Sequence, residues 1–156
     1  IYMGDWSSDV CSSDLNIGAI VRTSCALGVG GIVLVSAQPF DVYDRRLIRA
    51  SRGHVFSLPI VTATAQALLG FCSRFGVHLL VTAPCATSTV GDIVALPQRL
   101  AIVFGSEKAG CSPELTSAAA LRVRIPTSPK VESLNVSAAA GIALYNRLEF
   151  NGVAAG

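Results

Sequence analysis

Three turns in the last third of the chain gather the residue types that a ligand site needs. Gly105 follows an apolar run and precedes Ser106, Glu107 and Lys108; Ile125-Pro126 ends the next strand; Ser133-Leu134-Asn135 closes the loop after it. A glycine at the end of a buried strand lets the backbone approach a ligand closely. Taken singly, each of these is an ordinary strand-ending turn. Three neighbouring exits at one sheet end form a crevice suited to a nucleoside. Thr82 and Ala83, at another strand exit, line the same crevice. Nearer the start, Asn16 and Arg22 share one helical segment, about 9 Å apart along its axis and on different faces. Arg22 lies in the apolar stretch Ile20-Val21-Arg22-Thr23-Ser24-Cys25. It reads equally as a functional cation or as a surface arginine whose stem covers apolar neighbours. Arg45, Arg49 and Arg52 follow at helical spacing i, i+4, i+7, on one face. That set suits RNA phosphates as well as it suits a solvated basic face. There is little aromatic interleaving, so base stacking is not indicated.

The elements that must position these residues alternate. Helix is expected over 17–28, capped by Asn16, and strand over 32–35. A basic helix follows over 44–51, a short strand over 58–61, and a helix over 64–75 stopped by Gly76. Strands are expected over 77–81 and 100–104, and a short helix over 113–119 with Pro113 in its first turn. The strand 121–125 and an alanine-rich helix over 135–150 complete the series. Continuous apolar strands separated by helices predict an α/β domain, its mostly parallel sheet covered on both faces.

Several chemistries find no support. Gly28-Val29-Gly30-Gly31 precedes a strand, whereas a dinucleotide fingerprint follows one and opens a helix. There is no Walker A sequence and no GxSxG elbow. Asp41, Asp44 and Asp92 lack metal-ligand spacing and read as solvated or capping acids. The five cysteines contain no CxxC pair, so no metal is expected. They read as thiols of a reducing compartment, the cytoplasm. No apolar run approaches the roughly 18 residues of a membrane span. Apolar residues make up 51% of the 156 and charged ones 14%, enough for one packed domain. The net charge of +2 suits an anionic partner.

The segment from Asp5 to Leu15, DWSSDVCSSDL, has no apolar period. It also matches, codon for codon, a frame of a common sequencing adapter. Residues 1–15 are therefore taken as a non-native or disordered leader, 16–150 as the domain, and 151–156 as a tail. Discounting the leader removes Asp5, Asp9 and Asp14 and no base, which deepens the positive excess.

Three stretches together resemble the motifs of the SpoU-type (TrmH-like) branch of the SPOUT RNA methyltransferases. They are Asn16-Ile17-Gly18-Ala19-Ile20-Val21-Arg22-Thr23, then Val103 to Gly110, then Ile125-Pro126 with Ser133-Leu134-Asn135-Val136-Ser137. The resemblance implies methyl transfer from S-adenosylmethionine to a ribose 2′-hydroxyl of rRNA or tRNA. It also implies a homodimer, with the closing helix near the interface, and a C-terminal trefoil knot. It puts Asn16, Arg22, Glu107, Ser133 and Asn135 on catalytic and substrate-positioning residues. Gly105, Ile125 and Leu134 fall on cofactor contacts made largely through backbone. In that family a core strand precedes the first motif, and here it is expected to be missing, leaving a fragment of low stability. Lys108 stands where glycine is common. A non-catalytic RNA- or nucleotide-binding module with the same fold remains the alternative. An unrelated parallel-sheet enzyme would need another nucleophile or base, and the sequence offers none.

Overall fold

The computed structural model describes residues 2–5, 10–36, 40–97, 99–105, 110–131 and 133–150. The strands are β1 (Tyr2–Asp5), β2 (Ile32–Val35), β3 (Ile60–Ala63), β4 (His78–Thr82), β5 (Ser88–Thr89), β6 (Leu100–Phe104) and β7 (Leu121–Arg124). The α-helices are α1 (Val10–Ala26), α2 (Arg45–Ala50), α3 (Ala65–Phe75), α4 (Pro113–Ala118) and α5 (Val136–Phe150). Two 3-10 turns, His54–Phe56 and Val90–Ala95, complete the order. All seven strands form one sheet, ordered β3-β2-β1-β6-β4-β7-β5. Every ladder is parallel.

The pleat explains why the apolar runs are continuous. Successive strand residues point to opposite faces, so a strand covered on both faces must be apolar throughout. All five residues of β6 are buried. Leu100, Ile102 and Phe104 enter the core shared with Ile17, Ile20 and Val21 of α1 and Ala140, Ala143 and Leu144 of α5. Ala101 and Val103 enter the opposite core, with Leu68 and Cys72 of α3 and Leu115 of α4.

Local chemistry sets the helix ends. Thr64 Oγ1 accepts from Ala67 N at 3.2 Å to open α3. Ser112 caps α4, whose first residue is Pro113. Asp44 Oδ1 accepts from Arg46 N at 2.7 Å to open α2, and Asp92 closes a capping box with Thr89. Both acids thus take the capping role expected of them.

Two expectations are corrected. A strand does stand ahead of α1: β1 lies between β2 and β6, pairing Met3 with Val33 on one side and Val103 on the other. Four residues carry too little pattern to announce themselves; their place is set by the two long-range ladders. Residues 10–15, assigned above to the leader, form the first turns of α1. The second correction concerns Arg52. Helix α2 stops at Ala50, so Arg52 does not continue the face of Arg45 and Arg49. Arg52 N donates to Arg49 O at 3.1 Å and Gly53 N to Ile48 O at 2.8 Å. That bond pair is the Schellman helix end, and it puts Arg52 at φ 53, in the left-handed region.

Candidate active site

The exits of β4, β6 and β7 are laced to one another. Thr82 Oγ1 donates to Val103 O at 3.1 Å, tying β4 to β6. Ala83 N donates to Val123 O at 2.9 Å, tying β4 to β7. The Cys111 thiol lies 3.9 Å from Thr82 O. Gly105 is where the chain folds back on itself. A Cβ there would overlap the Gly110 carbonyl carbon and Cys111 N, and would lie 2.6 Å from Gly110 O. Only a residue without a side chain permits that approach. Thr82, Ala83, Gly105 and Ile125 are all half-buried at this edge.

The first and third sequence motifs meet in space. Asn135 Nδ2 donates to Asn16 Oδ1 at 2.9 Å, across 119 residues of chain. Asn135 Oδ1 accepts from Ser137 N at 2.9 Å and Ser137 Oγ at 2.6 Å, which caps α5. One amide therefore opens α5 with its oxygen and holds α1 with its nitrogen. Ser133 is exposed and Leu134 half-buried in the segment leading into that cap. Arg22 is exposed on α1, six residues beyond Asn16. Glu107 and Lys108 lie outside the described residues.

The neighbouring glycine of the first motif has a packing role. A Cβ on Gly18 would overlap Ala50 Cβ and stand 2.7 Å from the Ala50 carbonyl carbon and 2.9 Å from Ser51 N. Gly18 is what lets the end of α2 lie against α1. Asp14 is buried at this junction, and burial pushes its carboxyl pKa up. The Asp44 carboxylate adds to the rise and Arg46 opposes it.

The basic segment holds a feature that the sequence does not announce. Tyr43 and Phe56, thirteen residues apart, stack with ring centroids 5.7 Å apart and planes at 13°. Aromatic rings therefore do accompany the arginines. The pairing was hidden because Tyr43 precedes α2 and Phe56 ends the turn beyond it.

A parallel α/β sheet with bound-together strand exits and a polar pair joining the body of α1 to the start of α5 defines a class of domain that binds at its sheet edge. The chain belongs to the SpoU rRNA Methylase family, which matches residues 9–145. It is 51% identical over 136 residues to the 23S rRNA (adenosine(1067)-2′-O)-methyltransferase of Streptomyces laurentii, covering 87% of this chain and 50% of that protein. The Streptomyces azureus protein of the same name is 46% identical over 136 residues, covering 87% and 51%. The chain thus spans about half the length of these curated relatives. Among solved structures, the SpoU methyltransferase AviRb of Streptomyces viridochromogenes in complex with AdoMet superposes with a TM-score of 0.84 at 27% identity. That match covers 96% of this chain and 59% of AviRb.

Proposed function

We propose that this chain is the methyl-transferring portion of an RNA ribose 2′-O-methyltransferase that uses S-adenosylmethionine. The observation that carries the reading is the Asn16–Asn135 hydrogen bond, which joins the first and third motifs across 119 residues of chain. The 23S rRNA activity for which the Streptomyces relatives are named favours rRNA over tRNA as substrate.

The residues present fit the cofactor. At Gly105, Ile125 and Leu134 the chain lies outside the strand ladders, so backbone donors and acceptors can face an adenosine. Thr82 and Ala83 would line its other side. When bound, the cofactor would supply a sulfonium methyl group that passes to the ribose 2′-oxygen in place of its proton, leaving a neutral thioether. Arg22 stabilises the incipient alkoxide or grips the adjoining phosphate. Its guanidinium is a donor that stays charged and so is no general base. Glu107 orients Arg22 or a ribose hydroxyl. Ser133 and Asn135 hydrogen-bond ribose or cofactor, and Asn16 is held in register by Asn135. Arg45, Arg49 and Arg52, all exposed, contact RNA phosphates.

The protein acts as a homodimer in the cytoplasm. Ile142 and Tyr145 of α5 remain 38% and 52% exposed, an apolar face suited to a second copy. Among the described residues no helix is long and apolar enough to cross a membrane.

The test is transfer of tritiated methyl from S-adenosylmethionine to an rRNA transcript, with the modified ribose mapped by primer extension. Arg22→Ala should bind the cofactor normally and transfer no methyl. Binding of RNA without binding of S-adenosylmethionine would establish the non-catalytic module instead. Full single-turnover activity in Arg22→Lys would remove the bidentate role of the guanidinium.

A further inference from the structure

Tyr43 and Phe56 are 58% and 67% exposed, yet the apolar residues beside them are not. Val55 is buried, and Phe40 and Val42 pack against the core. The fold thus takes in the flanking apolar side chains and leaves the two stacked rings outside. A rigid exposed aromatic pair is not required by packing and calls for a partner.

Both rings stand on ordered backbone. Tyr43 N donates to Asp41 Oδ1 at 2.8 Å. Phe56 N donates to Gly53 O at 3.1 Å, inside the 3-10 turn. Around the rings the chain presents Arg45, Arg46, Arg49 and Arg52, all exposed. The acids of the segment are Asp41 and Asp44, and each spends a carboxylate oxygen on a backbone N–H. Arg52 is held at φ 53, a conformation that costs an L-residue about 1 kcal/mol and that glycine would adopt freely. Through Gly18 the whole segment is seated on α1, two residues from Asn16.

We propose that the Tyr43–Phe56 step is a stacking platform for an unpaired base of the substrate RNA, with the surrounding arginines holding the phosphates on either side. Every base has a π-face, so the step recognises the unstacked state of a nucleotide rather than its identity. The arginines supply the electrostatic part of affinity, and the rings discriminate single strand from duplex. The proposal rests on the RNA-methyltransferase reading above and assigns the place where a nucleotide other than the methylated one is gripped.

The experiment measures fluorescence anisotropy of labelled oligoadenylate, the same oligomer with abasic positions, and a duplex of equal length, across a salt series. Phe56→Ala should weaken oligoadenylate binding about 5- to 150-fold, with no change in salt slope. Phe56→Trp should restore it. The abasic oligomer should bind wild type and Phe56→Ala alike. Arg49→Gln should instead lower the salt slope by about one and weaken all three probes similarly. Unchanged oligoadenylate affinity in Phe56→Ala overturns the platform. So does a dimer-to-monomer shift in Phe56→Ala by light scattering, which would assign the rings to a second copy. S-adenosylmethionine binding, read by calorimetry on the same variants, reports separately on the methyltransferase reading.

Discussion

Asn135 presents its two amide atoms to two elements, and Gly105 presents none where an atom would not fit. The two positions make opposite predictions about side-chain chemistry. Gly105→Ala adds one methyl group, but the group meets backbone that cannot rotate away. Either Gly105 or the Gly110–Cys111 backbone must shift, at about 1–3 kcal/mol in stability. A displacement of about 1 Å at a reacting site costs on the order of 100-fold in rate. The variant should therefore stay folded by circular dichroism while losing S-adenosylmethionine binding by calorimetry. Unaltered cofactor affinity would remove Gly105 from the proposed site. Asp14 is the other residue whose surroundings work against it. Its raised pKa means that the folded state binds the proton more tightly than the unfolded chain. The associated stability is present below the ordinary value of 3.8 and is lost as pH rises through the folded-state pKa. Asp14→Asn should accordingly melt higher than wild type at neutral pH. The gap should close as pH falls toward 3.8 and below. Parallel melting curves at every pH would show that burial of this carboxylate carries no such cost.

Helix α2 shows how much of an element is readable and where reading fails. Its start was legible because Asp44 is a capping residue ahead of a good helix former. Its end near Ser51 was legible too, but the place of Arg52 was not: arginine propagates helix well, and only the left-handed turn at Arg52-Gly53 takes Arg52 off the face. The strands β2 and β6 were legible from unbroken apolar runs, β7 from the alternation Leu121-Arg122-Val123-Arg124, and α3 from a capping threonine and a stopping glycine. β5 was not, being two residues long and defined by its ladder to β7. In the candidate site the motif residues were legible singly, but their meeting was not. No local pattern joins Asn16 to Asn135, or Tyr43 to Phe56. Two substitutions test the element-level account. Gly18→Ala pushes the end of α2 off α1 and should cost about 1–3 kcal/mol, lowering Tm by roughly 3–10 °C. A Tm within error of wild type would mean that the helices separate freely. Arg52→Gly relieves the left-handed strain, partly offset by the looser unfolded chain, and should stabilise by up to about 1 kcal/mol in urea. It should at the same time weaken RNA binding and lessen its salt dependence.

The whole molecule is one sheet between two cores, and β1 is the seam. To one side lie β2 and β3; to the other lie β6, β4, β7 and β5. The strand exits of the candidate site belong to the second group, whereas α2 and the Tyr43–Phe56 step lie between β2 and β3 in sequence. Backbone pairing between the groups passes through the registers Tyr2–Ile32 and Tyr2–Ile102 and those that follow them. Removing residues 1–5 would leave the facing edges of β2 and β6 unpaired in the middle of the sheet. Buried backbone groups left unpaired cost about 1–3 kcal/mol each, and open edges promote association. The remaining link would be α1 with its contacts to the sheet and α5. The shortened chain should therefore lose its single cooperative unfolding transition. Amide exchange should quicken first along Ile32–Val35 and Leu100–Phe104, and only later at β4 and β7. Restoring any four-residue strand of alternating Val and Thr at positions 2–5 should recover the protection, because the ladders need backbone and not a particular side chain. Protection of Ile32–Val35 that survives the deletion would show that the two halves are held by their helices, and that the platform and the methyl-transfer site are coupled through α1 alone.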